Sequence, residues 1–463
     1  MATFSIENFG CRATAADASA LRHALLGDGL TLAHEHSSAD VIVLNTCTVT
    51  AQADSQAREA VRKIHRANPA ARVVVTGCYA QRAPEELASI EGVSSVIGNS
   101  HQAEIPRVIR ELLLAAAAAP RAAAAAARDF IPVTQLEDRY PNALSLASGP
   151  AKILTGDILA QTTVQVASPA FMAGDCTRPV LKVQDGCNHR CSYCVIPLVR
   201  GRSRSLPPDI VVEQARRLVR AGAKEIVLSG INLGSYGRDL EPRVALVRLI
   251  ERILAETELE QLRFSSIEPQ DITEDLVSIA ARSTRLATHF HVPLQSGSDR
   301  VLRAMHRWYR AEHYAQRIRL IRRLLPNAAV GADVLVGFPG EAREDFQATT
   351  EFIERLPFTY LHVFRFSERP RTEAANLGSA VPPSVILERA RSLRALAERK
   401  SAAFRASQAG TILRALTLAG GGDNWTEGLT GNYLKVRIAG RWPPNQWRKV
   451  PLADDPKTLL DPL

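Results

Sequence analysis

Short apolar runs alternating with amphipathic stretches constrain this chain more than any other feature. Within residues 1–114 the runs 3–6, 41–44, 73–76 and 93–97 are separated by helical patterns near 14–28, 53–66, 81–89 and 101–114. Runs this short, joined by segments of 3.6-residue periodicity, predict βα units, and repeated βα units predict a parallel sheet. The fold class is therefore α/β, beginning with an open parallel domain over 1–114. The pattern lapses at Ala115. Residues 115–128 are alanine-rich without an apolar face, and Pro, Ser, Gly and Thr follow without periodicity, so 115–172 reads as a variable linker. Alternation resumes over 173–403. Strands are predicted near 180–184, 224–229, 262–266, 288–292, 330–336 and 359–364, with helices near 208–221, 243–256, 272–283, 311–325 and 342–356. Six βα units in a row predict a partial (β/α)6 barrel. A helix near 384–407 leads into 404–463, where Gly420-Gly421-Gly422 and the run 433–438 suggest a small C-terminal β-barrel.

Across the 463 residues, 46% are apolar and 23% charged, as in ordinary globular proteins. No apolar run approaches the roughly 20 residues that span a bilayer, so no membrane partner is expected. The start, Met1-Ala2-Thr3-Phe4-Ser5-Ile6-Glu7, has neither a basic nor an apolar leader region. The expectation is a cytoplasmic protein whose thiols stay reduced and free to bind metal. The net charge of +9 comes mostly from arginine. Arg200, Arg202 and Arg204, and Arg317, Arg319, Arg322 and Arg323, suit a phosphate-rich partner. An Ala- and Arg-rich composition also follows from a GC-rich genome, so charge alone does not decide the point.

The seven cysteines divide as three, three and one. Cys187, Cys191 and Cys194 follow the first barrel strand with spacing x3 then x2. Three such thiolates can hold three irons of a [4Fe–4S] cube and leave the fourth open. An open iron can chelate the amino and carboxylate groups of S-adenosylmethionine, and reduction then cleaves the sulfonium to a 5′-deoxyadenosyl radical. The competing reading is zinc, with His189 or a distant residue as fourth ligand. Cys11, Cys47 and Cys78 lie about thirty residues apart, yet each sits just past an apolar run of the first domain. Ligands in open α/β sheets bind beyond the carboxyl ends of strands, so three neighbouring strands would bring these thiols to one site. Cys176 is read as a packing residue without a ligand role.

At these residues the chain resembles the radical S-adenosylmethionine methylthiotransferases. The likeness rests on Asn8-Phe9-Gly10-Cys11, Asn45-Thr46-Cys47-Thr48-Val49-Thr50 and Thr76-Gly77-Cys78-Tyr79-Ala80-Gln81 in the first domain. In the barrel it rests on Tyr193 before Cys194, Ser229-Gly230-Ile231-Asn232-Leu233-Gly234, Pro293-Leu294-Gln295-Ser296-Gly297-Ser298 and Gly337-Phe338-Pro339-Gly340-Glu341. Gly431-Asn432-Tyr433-Leu434-Lys435-Val436 resembles an RNA-binding domain of the TRAM type.

The resemblance implies two [4Fe–4S] clusters and S-adenosylmethionine. Cys187, Cys191 and Cys194 would hold the radical-generating cluster, and Cys11, Cys47 and Cys78 an auxiliary cluster carrying the sulfur. Tyr193, Gly230, Asn232, Gly337 and Gly340 are candidates for binding S-adenosylmethionine. The implied partners are the anticodon loop of tRNA, at adenosine 37, and an electron donor such as flavodoxin or ferredoxin, with the sulfur source left open. The protein is expected to act as a monomer. Within the family the target is isopentenyladenosine 37, threonylcarbamoyladenosine 37 or a ribosomal-protein aspartate. The wording around Cys47, Arg200-Gly201-Arg202-Ser203-Arg204-Ser205 and Ser367-Glu368-Arg369-Pro370-Arg371-Thr372 resemble the threonylcarbamoyl branch. Arg365-Phe366 departs from the Pro-Tyr common before that serine.

Overall fold

The structure, a computed structural model, describes residues 2–118, 151–164 and 177–452. The chain divides into two compact units, Met1–Gln161 with Leu198–Arg200, and Thr162–Pro197 with Gly201–Leu463.

In the first unit, β1 (Thr3–Asn8), β2 (Thr31–Leu32), β3 (Val41–Thr46), β4 (Arg72–Gly77), β5 (Val93–Gly98) and β6 (Lys152–Leu154) form one sheet in the order β2-β1-β3-β4-β5-β6. Every pairing is parallel. Side chains alternate between two cores. Ile42, Leu44, Val73 and Val75 pack with Ala57, Val61 and Ile64 of the helix Ala51–Ala67. Val41, Val43 and Val74 pack on the other face with Leu21, Leu25, Val108 and Ile109. Both faces are covered, which is why β3 and β4 read as unbroken apolar runs. The linker expected over 115–172 contains a strand: residues 152–154 extend the sheet beside β5. Three residues are too few for periodicity to reveal. Residues 119–150 and 165–176, with Cys176, lie outside the described residues.

The second unit carries β7 (Val180–Asp185), β8 (Arg204–Ser205), β9 (Glu225–Gly230), β10 (Gln261–Phe264), β11 (His289–His291), β12 (Ala329–Val336) and β13 (Tyr360–Arg365). The strands β7, β9 and β10 are parallel, as are β11, β12 and β13. The parallel bridges Leu262↔Leu286 and Ser266↔His291 join the two sets into a partial barrel. The short β8 runs antiparallel on β7. Outer helices bury Val211, Leu218, Leu249, Ile253, Ile318 and Ile353 against Val183, Leu228, Leu262, Val330 and Val334 of the strands in one core. The helix Asp299–Ala304, capped by Ser298, was not expected from the sequence, six residues being too short for a periodic signal.

The C-terminal strands β14 (Ile412–Gly422), β15 (Trp425–Thr430), β16 (Lys435–Ala439) and β17 (Trp447–Pro451) pair antiparallel in the order β16-β15-β14-β17. A bulge between Thr417 and Gly421 bends β14, so the small barrel takes the form of a curled half-barrel. Arg263 of β10 ties this sheet to the barrel. It donates from Nε to Glu225 Oε1 at 2.7 Å and from Nη2 to Thr430 O at 3.0 Å and, through Nη1, to Gly431 O at 3.1 Å.

Two of the arginines read as phosphate ligands, Arg200 and Arg204, need correction. Arg200 and Arg204 are buried. Arg204 donates to the carbonyls of Thr163 and Arg202. Arg319 pairs with Glu312, Arg323 with Glu274, and Arg322 donates to Pro357 O at 2.9 Å. Acids and carbonyls, some near in sequence and some distant, engage these guanidinium groups. Arg202 is exposed.

Candidate iron–sulfur sites

The loop bearing Cys187, Cys191 and Cys194 begins at the carboxyl end of β7. Gly186 turns the chain there with φ +69°, and a Cβ would lie 2.0 Å from Arg202 O, so only glycine fits. Gln184 braces the turn, donating from Nε2 to Gly186 O (2.7 Å) and accepting at Oε1 from Asn232 N (2.8 Å). Ser192 anchors the middle of the loop. Its N–H donates to Met305 O (3.2 Å), its Oγ to Ala304 O (2.8 Å), and its carbonyl accepts from Ala374 N (2.8 Å).

Donors surround the sulfurs. Arg307 Nη1 lies 3.3 Å from Cys191 Sγ, and the His189 backbone N–H 3.4 Å from Cys187 Sγ. Arg307 is itself held by an ion pair with Glu268. Burial pushes the Cys187 thiol up to about 11 and the Cys194 thiol up to about 12. Buried thiolates therefore need positive charge, and metal ions or clusters supply it while displacing the protons. His189 is driven towards its neutral form by burial and by Arg307.

In the first unit, Cys47 directly follows β3, Cys78 directly follows β4, and Cys11 stands three residues after β1. These strands are adjacent in the sheet, in the order β1-β3-β4. The backbone is drawn close: a Cβ on Gly10, whose φ is +135°, would lie 2.7 Å from Cys47 Cβ. Burial first, and then the neighbouring Cys78, pushes the Cys47 thiol up to about 12. Cys78 Sγ accepts from Arg200 Nε at 3.3 Å and Asn99 Nδ2 at 3.5 Å. Arg200 is fixed by Asp17, with Nη2 2.8 Å from Oδ2.

Tetrahedral zinc with bonds near 2.3 Å would gather its sulfurs to about 3.8 Å from one another. Among the described residues, only His291, Asp333 and His362 bring three ligand atoms within 4.8 Å of one another. Neither cysteine triplet is so tight in the metal-free structure.

Other proteins bear on these geometries. Residues 3–98 match the uncharacterized protein family UPF0004, and residues 181–353 match the radical SAM superfamily. The threonylcarbamoyladenosine tRNA methylthiotransferase MtaB of Aquifex aeolicus is 35% identical over 94% of this chain and 96% of its own length. A tRNA-2-methylthio-N(6)-dimethylallyladenosine synthase of Syntrophobacter fumaroxidans is 32% identical over 94% of this chain and 88% of its own. This chain belongs to the radical S-adenosylmethionine methylthiotransferase family. Membership carries a [4Fe–4S] cluster, S-adenosylmethionine and transfer of a sulfur-containing group. A solved structure of the radical S-adenosylmethionine methyltransferase TsrM of Kitasatospora setae, 17% identical, matches 81% of this chain and 75% of its own with a TM-score of 0.57, a likeness of fold.

The remaining candidates of this methylthiotransferase fall as follows. Tyr193 packs beside Met305 and Phe338. Gly230 ends β9, and Asn232 follows it with Nδ2 3.5 Å from His189 Nε2. Gly337 and Gly340 lie just past β12 with φ +80° and +78°. Gly337 N–H donates to Glu341 Oε2 at 2.8 Å, and Arg389 holds that carboxylate at 2.6 Å. Sequence reasoning did not anticipate Arg307, Asn99 or Arg200 as partners of sulfur, since each lies far along the chain from the cysteine it meets.

Proposed function

We propose that this methylthiotransferase adds a methylthio group to C2 of threonylcarbamoyladenosine at position 37 of tRNA. The similarity to MtaB over nearly the whole chain carries this reading. The sequence around Cys47 and the segment Arg200–Ser205 support the threonylcarbamoyl branch over the isopentenyl and ribosomal-protein targets.

In this reading Cys187, Cys191 and Cys194 hold the radical-generating cluster, and Cys11, Cys47 and Cys78 hold a second. When bound, the first cluster supplies the electron that cleaves S-adenosylmethionine to the radical able to take hydrogen from an unactivated C2–H. Arg307 and the His189 N–H stabilise charge on sulfur at the first site, as Arg200 and Asn99 do at the second. Tyr193, Gly230, Asn232, Gly337 and Gly340 line the binding place of S-adenosylmethionine at the carboxyl ends of barrel strands. Residues 404–463 act as the RNA-binding domain, holding an anticodon loop whose base can be splayed out. The enzyme works as a cytoplasmic monomer and draws electrons from a donor such as flavodoxin or ferredoxin.

Nucleoside analysis of tRNA from a deletion strain tests the substrate. Loss of methylthio-threonylcarbamoyladenosine, restored by this chain, is the expected result. Its persistence in a strain with no other enzyme for it refutes the reading, and loss of the isopentenyl derivative instead selects the other branch. Anaerobic reconstitution tests the clusters: two cubes require about eight irons per chain.

A further inference from the structure

Three side chains outside both cysteine sites converge on the inner face of the partial barrel. Strand alternation sends Phe290, Val330, Ala332, Val334 and Leu361 into the core beneath the helices and turns His291, Asp333 and His362 the other way. Asp333 pairs with His362 across β12 and β13, and His291 pairs with Gly331, two residues before Asp333. His291 Nε2 lies 3.1 Å, and His362 Nδ1 3.3 Å, from the same oxygen, Asp333 Oδ1.

The surroundings hold these rings in place. A Cβ on Gly331 would lie 1.9 Å from Tyr360 Cζ, so the Tyr360 ring fills the space that glycine leaves. That ring is 6.0 Å from the His291 ring and 5.3 Å from the His362 ring. His291 Nδ1 is 2.7 Å from Ser266 Oγ. Its Nε2 is buried and makes no aligned hydrogen bond, although Asp333 is so close. When protonated, His291 ion-pairs with Asp333 through Nε2; when Nδ1 alone carries the proton and donates it to Ser266, Nε2 offers its lone pair on the Asp333 side, the orientation of metal-bound histidines. The His291 side chain is 8% exposed, Asp333 23% and His362 41%, so the cluster is closed on one side and reachable on the other. Two imidazoles and one carboxylate on neighbouring strands, with an open side, form the donor set of divalent metal sites that keep coordination positions free.

We propose that His291, Asp333 and His362 bind one divalent cation of the zinc, ferrous or manganous kind, and that its open positions take the carboxylate of the threonylcarbamoyl group. The second half rests on the substrate reading above. A dication with one carboxylate ligand leaves a net positive site, which complements an anionic substituent and offers nothing to a neutral isopentenyl chain.

Zinc is the probe. Cluster-loaded protein is dialysed anaerobically against zinc, and both metals are counted by mass spectrometry. One zinc per chain with unchanged iron is expected. Asp333→Asn and His362→Ala should each weaken zinc binding at least about tenfold, whereas the Cys187→Ala, Cys191→Ala, Cys194→Ala triple variant should retain it. Substoichiometric zinc, or zinc binding indifferent to both single substitutions, overturns the site. Free N6-threonylcarbamoyladenosine should tighten zinc binding about fivefold or more, and adenosine should not. Equal zinc affinity with the two nucleosides overturns the carboxylate half alone. The nucleoside analysis of tRNA is read separately, so failure of the substrate reading is distinguishable from failure of the cation site.

Discussion

Replacing Arg263 with methionine offers a quantitative test of the second unit. The guanidinium is wholly buried, as is its partner Glu225. It bonds both oxygens of that carboxylate and two carbonyls of the C-terminal sheet. Removing one member of such a buried pair costs ~3–5 kcal/mol, because the remaining charge is left without compensation. Arg178, at 3.6 Å from Glu225, and Gln261, at 2.6 Å, soften the loss, so the lower end is expected. In a unit of this size that is a fall in Tm of roughly 5 °C.

The pH dependence has a definite sign. Burial pushes Glu225 up, but Arg263 first, and then Arg178, hold it below the usual carboxylate range. A carboxyl depressed on folding contributes stability that is present above its unfolded value and is lost as pH falls through the folded one. In Arg263→Met that contribution shrinks, and Glu225 can take a proton instead. The gap between wild type and variant should be widest at neutral pH and narrow towards pH 4. The assay is thermal unfolding followed by near-ultraviolet circular dichroism, with Glu225→Gln added to Arg263→Met as the rescue. A gap that is flat with pH, or not reduced by the rescue, refutes the reasoning.

Other outcomes follow from the sites. Cys47→Ala should remove about four of about eight irons after anaerobic reconstitution and leave the rest; iron content equal to wild type rules out the second cluster. Gly337→Ala should destabilise by ~2–3 kcal/mol, since its φ of +80° is compounded by a Cβ 2.5 Å from Ile386 Cγ1. Gly340→Ala, with a similar φ but open space, should cost only ~1 kcal/mol, and chemical denaturation of both variants checks the difference. In cluster-free protein the Cys187 thiol, pushed up to about 11 by burial, should be alkylated by iodoacetamide at a rate rising roughly tenfold per pH unit between pH 7 and 10. A plateau below pH 9 at that residue, read by peptide mass spectrometry, excludes the burial described.

Much of this architecture is legible in the chain because its strands are buried on both faces. The run Val41-Ile42-Val43-Leu44 announces β3 without any partner being known, and the long amphipathic helices announce themselves by period. What escapes is short or distant. Lys152-Ile153-Leu154 carries too little pattern to declare a strand, and Asp299–Ala304 too little to declare a helix. The triplet of Cys187 is local and therefore visible, and Cys11, Cys47 and Cys78 are visible because each ends an apolar run. Arg307, 116 residues from Cys191, and Arg200, 122 residues from Cys78, carry no spacing that links them to sulfur. The same limit misleads with Arg200 and Arg204, whose charge invites a phosphate while the fold turns both inward.

The anchoring of Ser192 has a consequence for how this site can be divided or transplanted. The three thiols occupy eight residues of chain, yet their loop is held by the carbonyls of Ala304 and Met305 and the amide of Ala374. A fragment ending before residue 299 would keep all six candidate cluster cysteines and lose the scaffold that shapes half of them. The short motif is thus heritable only with the late barrel, and a peptide carrying it alone would be a flexible chelator rather than a preorganised site.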